Sequence, residues 1–150
     1  MLRTRLRNRV ATLLAASALF VGTSVTLGAS NAAAADWTFE KSAVSSDGSF
    51  TISAYYQGTY AGLMEWRGDP RDGDPGDAFR VVDRLSDGYG LEASMISPAT
   101  GRVATTRGHS AVYYSPWNTG DLKEDTTVYI QLCAVKGEFF SCSIAYSGHA

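Results

Sequence analysis

His109 and His149 are the only imidazoles in the 150-residue chain, so acid–base or nucleophilic chemistry that needs one has few places to go. His149 stands next to the terminal Ala150, where side chains are rarely held rigid. A Ser-His-Asp site would therefore have to use His109. Ser110 follows it directly, but adjacent residues in an extended chain point apart, so the pair reads as a turn between two strands. No Gly-x-Ser-x-Gly elbow occurs. Glu65 and Glu92 offer a different chemistry, since two carboxylates about 5–9 Å apart across a cleft can hydrolyse a glycoside. Glu40 and Asp83 also fall in strand-like stretches, so no pair is singled out, and solvent-facing strand residues are the plainer expectation.

The segment Gly68 to Ala78 places Asp69, Asp72, Asp74 and Asp77 among Pro70, Gly73, Pro75 and Gly76. Carboxylate and carbonyl oxygens at that density could wrap calcium, although the glutamate that closes an EF-hand loop is missing. A solvated acidic loop is the alternative. No other cofactor is expected.

Aromatic residues form two groups. Tyr55, Tyr56, Tyr60 and Trp66 crowd one pair of strand candidates, and Tyr113, Tyr114 and Trp117 crowd another segment. Neighbours in a strand face opposite sides, so neither Tyr55-Tyr56 nor Tyr113-Tyr114 fits wholly into a core. Some of these seven rings should lie on the surface, available to stack on sugars or to anchor a protein partner.

Strands must position all of these groups. Phe50, Ile52, Ala54 and Tyr56 alternate with Thr51, Ser53 and Tyr55; Tyr89, Leu91, Ala93 and Met95 alternate with polar or small residues; Val128, Ile130 and Leu132 do the same. This period of two marks half-buried strands. Weaker candidates are Trp37 to Lys41, Thr59 to Arg67, Phe79 to Leu85, Arg102 to Arg107 and Ala111 to Ser115. Pro70, Pro75, Pro98 and Pro116 all fall between them, and no window after residue 35 sustains a helical period. The expected fold is all-β, an antiparallel β-sandwich or small barrel.

Cys133 and Cys142 are the only cysteines, too few to close a zinc site. A two-residue turn at Gly137-Glu138, type II′ with glycine first, pairs Lys136 with Phe139 and places Cys133 opposite Cys142. That position is a non-hydrogen-bonded pair, whose Cα atoms approach to about 4.5 Å, within reach of a disulfide. The bond is read as structural, with a strand running from Phe139 to Tyr146 as its second arm.

The compartment suits this bond. Arg3, Arg5, Arg7 and Arg9 precede an apolar run from Val10 to Leu27, which ends in Ala33-Ala34-Ala35. This is the pattern of a secretory signal peptide over 1–35, cleaved before Asp36 or two residues earlier, followed by a single β domain over 36–150. The hydroxyl and glycine interruptions of the run make it a poor membrane anchor. All fifteen acidic residues but only nine of the thirteen basic ones follow residue 35, so that part carries a charge of −6. Such a surface repels phosphate backbones and anionic lipid, which disfavours nucleic-acid partners.

The Arg- and Ala-rich leader, Asp83-Arg84-Leu85-Ser86-Asp87-Gly88-Tyr89-Gly90-Leu91-Glu92-Ala93 and Cys133-Ala134-Val135-Lys136-Gly137-Glu138-Phe139-Phe140-Ser141-Cys142 together resemble small secreted actinomycete proteins of unassigned function. That resemblance implies a one-disulfide β domain and brings no catalytic residue. The expectation is a secreted, extracellular, non-enzymatic protein that binds a polysaccharide or a protein. The alternatives are an inhibitor of a secreted hydrolase, acting through a rigid loop such as Arg67 to Ala78, and a small hydrolase built on Glu65/Glu92 or His109.

Overall fold

The computed structural model describes residues 36–150, so the expected leader lies outside the described residues. Ten strands follow one another: β1 (Trp37–Lys41), β2 (Phe50–Tyr56), β3 (Thr59–Arg67), β4 (Ala78–Asp83), β5 (Gly90–Ser97), β6 (Val103–Thr105), β7 (Tyr113–Tyr114), β8 (Thr127–Lys136), β9 (Phe139–Cys142) and β10 (Tyr146–His149). They form two antiparallel sheets. The first has the order β1-β2-β3-β4-β7; the second has the order β10-β8-β5-β6, with β9 beside β8 as well. The sheets face each other across one core and do not close on themselves, so the sandwich is adopted rather than the barrel.

Alternation in the sequence becomes alternation in burial. Phe50, Ile52 and Ala54 of β2, Met64 and Trp66 of β3, and Phe79 and Val81 of β4 pack against Leu91, Ala93 and Met95 of β5 and against Val128, Ile130, Leu132 and Ala134 of β8. The intervening residues of each strand face outward. At one end a chain of rings spans both sheets: Trp37 meets Tyr56 at 5.0 Å and Tyr89 at 5.4 Å, and Tyr89 meets Phe139 at 5.5 Å between centroids.

Four strands end in the same way, each with a hydroxyl residue directly after its last residue. Ser143, following β9, donates its N–H to the Leu132 carbonyl at 2.8 Å, while its Oγ accepts the Leu132 N–H at 3.1 Å. Thr106, following β6, does the same with Leu91 at 2.8 and 2.7 Å. Ser115, following β7, does so with Val81 at 2.9 and 3.1 Å, and Ser42, following β1, with Thr51 at 3.0 and 3.0 Å. A side-chain oxygen thus replaces the carbonyl that the next ladder bond would need. The neighbouring strand keeps its N–H satisfied while the outer strand turns away.

The last hairpin has the register read from the sequence, with Lys136 opposite Phe139 and Cys133 opposite Cys142. Gly137 takes φ +55 at the first turn position, as type II′ requires. The Cys133–Cys142 disulfide is formed, with Cα atoms 4.0 Å apart. The arm after it is not one strand from Phe139 to Tyr146. It breaks at Ser143 and resumes as β10, where Tyr146 lies opposite Ile130. Four steps from Cys142 therefore answer three from Cys133, and the extra residue turns Tyr146 back toward the core.

β10 also anchors to the first sheet. The Trp66 indole N–H donates to the His149 carbonyl at 3.0 Å. Gly48, at φ +75, makes room for that carbonyl, which a Cβ there would strike.

Candidate functional site

Strand parity divides the seven candidate rings. Tyr55 faces outward and Tyr56 inward, where Tyr56 belongs to the inter-sheet ring chain. Trp66 is fully buried, which corrects the expectation that it could serve a surface site: it lies on the core-facing parity of β3 and spends its indole N–H on His149. Tyr113 stacks on His109, with centroids 3.7 Å apart and planes within 2°. Tyr55, Tyr60, Tyr114 and Trp117 remain, and the outer face of the first sheet gathers them.

The geometry there follows from β4. Its outward positions carry Arg80 and Val82, and the chain continues to Arg84. β7 lies alongside, with Tyr114 opposite Val82, and the backbone bonds between Phe79 and Asn118 hold Trp117 next to Arg80. Rings and guanidinium groups thus alternate. Arg80 lies over the Trp117 ring at 4.3 Å and over the Tyr114 ring at 5.4 Å; Arg84 lies over Tyr114 at 5.5 Å and donates to its hydroxyl at 2.6 Å. Glu65, opposite Arg80 on β3, accepts from its Nε at 2.6 Å. Tyr60 meets Tyr55 edge to face at 5.7 Å. Partial burial raises the Tyr60 pKa, against the opposing pull of Arg84, and Tyr55, Glu65 and Tyr114 add to the rise. Tyr60 and Tyr114 remain exposed, and Arg84 makes no ion pair among the described residues.

Sequence reading named these four rings but not Arg80 and Arg84. Arg80 on β4 and Arg84 just beyond it stand two residues either side of Val82, a period-two signal that becomes informative only once β7 is known to lie beside them.

The Glu65/Glu92 pair has no common centre. Glu65 faces outward from the first sheet, where Arg80 holds it; Glu92 faces outward from the second, where Arg107 holds it at 3.1 Å. The two carboxylates therefore stand on opposite faces of the sandwich. His109 is exposed, and its imidazole makes no hydrogen bond among the described residues.

The aspartates of the 68–78 loop do not converge on calcium. Asp72 and Gly73 form a tight turn with φ +53 and +91, closed by backbone bonds of 3.1 and 2.8 Å between Arg71 and Asp74. Asp74 meets Arg67 at 3.5 Å, Asp72 meets Arg71 at 3.3 Å, and Asp77 accepts the Leu122 N–H at 2.8 Å. The carboxylates point to separate local partners, and among the described residues no group of three or more potential metal ligands forms. Arg102 pins the base of this loop, donating to the Asp77 carbonyl at 2.6 Å and to the Asn118 side chain at 2.9 Å.

Comparison with known proteins found no matching family, curated protein or solved structure. Among the described residues no helix is long and apolar enough to cross a membrane.

Proposed function

We propose that this chain is a secreted, non-enzymatic binding protein, and that it holds a protein partner on the outer face of the β1-β2-β3-β4-β7 sheet. The observation that carries this reading is the Trp117–Arg80–Tyr114–Arg84 stack. Trp, Tyr and Arg dominate the energetics of protein interfaces, because they bury much area at little conformational cost and still offer polar tips. Here the stack has already ordered them. A polysaccharide needs bare ring faces, and guanidinium groups lie over these ones. The face also offers the exposed Tyr60 and Tyr114 and the charge of Arg84, which no carboxylate pairs among the described residues. The signal-like leader and the formed disulfide support an extracellular setting.

The test compares the protein with a Tyr60→Ala/Arg84→Ala/Tyr114→Ala variant, both immobilised, against extracellular proteins and against insoluble glycans. The expected result is saturable retention of a defined protein that the variant loses. Retention on glycans alone, or protein retention that the variant keeps, overturns the reading.

The loop after β3 supports a second one, inhibition of a secreted hydrolase. Its tip from Asp69 to Gly73 is exposed, while Arg67, Asp74, Asp77 and Arg102 fix its base. Exposed and pre-ordered is the form an inhibitory loop takes. Absence of inhibition across a panel of extracellular proteases and amylases ends this reading.

A further inference from the structure

The two sheets part at the end where β4, β5 and the β8–β9 hairpin meet, and a cavity of about 340 Å³ opens between them. Asp83, Tyr89, Thr106, Arg107, His109 and Lys136 are among its lining residues. This is the small end of the range for ligand sites.

Asp83 is the last residue of β4 and lies on its core-facing parity, opposite Gly62. It is 3% exposed. Its one hydrogen bond among the described residues comes from the Leu85 N–H to Oδ1, at 3.2 Å. No cation stands within ion-pair distance of it among those residues. Burial raises its pKa; the Leu85 bond opposes the rise, and nearby Asp87 adds to it. An acid so placed lacks a positively charged donor.

Lys136, which is exposed, offers the complementary charge. It ends β8, its ammonium lies over the Tyr89 ring at 4.7 Å, and it too has no carboxylate partner among the described residues. Arg107, on the same rim, is already committed to Glu92 and to the Gly137 carbonyl, each at 3.1 Å. One cavity therefore contains an unpaired anion within and an unpaired cation at its edge, which do not meet each other.

We propose that this cavity binds a small zwitterion of the amino-acid class, with its ammonium group on Asp83 and its carboxylate on Lys136. A bare metal cation is disfavoured by Lys136 and Arg107 and finds no set of three ligating groups. A plain anion would face Asp83. A molecule carrying both charges supplies each group with the partner that the fold withholds. The site is distinct from the outer face of the first sheet and stands whether or not that face binds protein.

The test titrates the protein with each standard amino acid and with its N-acetyl and carboxamide derivatives. Amide resonances of Gly88, Gly90 and Gly108 serve as reporters. The expected result is saturable shifts with at least one free amino acid, weakened tenfold or more by acetylation, by amidation, by Asp83→Asn and by Lys136→Met, and unchanged by Ile144→Ala at an exposed position. Asp83→Asn removes a buried unpaired charge, so the fold should survive it, and the derivative comparison needs no variant. Absence of shifts with every free amino acid, or equal binding of the blocked derivatives, overturns the proposal.

Discussion

Leu132 and Ser143 exchange two hydrogen bonds across the edge of the second sheet, one through the backbone of Ser143 and one through its hydroxyl. Leu132 is fully buried and Ser143 is 7% exposed, so no solvent stands ready to replace the hydroxyl.

Ser143→Ala should therefore leave the Leu132 N–H without an acceptor and destabilise the fold by about 1–3 kcal/mol. Ser42→Ala removes the same bond at an exposed position, where water substitutes, and should change stability by no more than about 0.5 kcal/mol. Denaturant midpoints check the contrast. Amide exchange at Leu132 localises it, since only Ser143→Ala should speed that amide. Equal effects of the two variants would falsify the argument from burial.

Arg80 carries both a stack and an ion pair. Arg80→Met strips the cation from Trp117 and Tyr114 and leaves the Glu65 carboxylate, 17% exposed, without its partner. A loss of about 1–3 kcal/mol is expected. Glu65→Gln should cost less, and the cycle between the two should show coupling of about 1 kcal/mol. Urea unfolding of the single and double variants measures this, and additive effects would refute the pairing.

Asp83 should leave a signature in pH. Its folded-state pKa lies above the ordinary 3.8, mainly because it is buried. Between the two values the folded protein holds more proton than the unfolded chain, so stability falls as pH rises through that window. Asp83→Asn abolishes this component. The variant should gain on the wild type as pH rises from 3.8 through the raised value, with the difference levelling off above it. Unfolding midpoints across that range test it, and a difference that does not move with pH refutes it.

The disulfide joins strands that are already paired, across a sequence separation of 9, and Cys142 is exposed. A double Cys133→Ser/Cys142→Ser variant should keep the β spectrum of the native protein and lose about 2–3 kcal/mol on the chain-entropy account. Chemical denaturation with and without reductant measures the loss; collapse of the spectrum would show that the bridge holds more than its own hairpin.

Much of this architecture is legible in the sequence, for a definite reason. A period of two reports a face, so β2 emerges with the bounds that alternation gives it, and the weaker candidates at Trp37 to Lys41 and Thr59 to Arg67 coincide with β1 and β3. Turn chemistry at Gly137 reports a register, which places Cys133 against Cys142. Neither signal reports which strands lie side by side. The Arg80–Tyr114 stack depends on β7 lying next to β4, and the cavity depends on where two sheets part; both are properties of distant segments. Being aromatic says nothing about parity, so the residue type alone does not reveal that Trp66 points into the core as Met64, two residues before it, does. The break at Ser143 was hidden because a serine after a strand looks like any turn residue until the N–H it satisfies is visible.

The four hydroxyl stops have a consequence for how copies of this molecule behave together. They keep four outer strands short: β1 has five residues, β7 two, β6 three and β9 four. A second chain adding itself by backbone pairing needs a continuous row of open donors and acceptors. Here each row is cut within a few residues by a turn. A domain so dense in β-strands is thereby denied the template on which fibres grow.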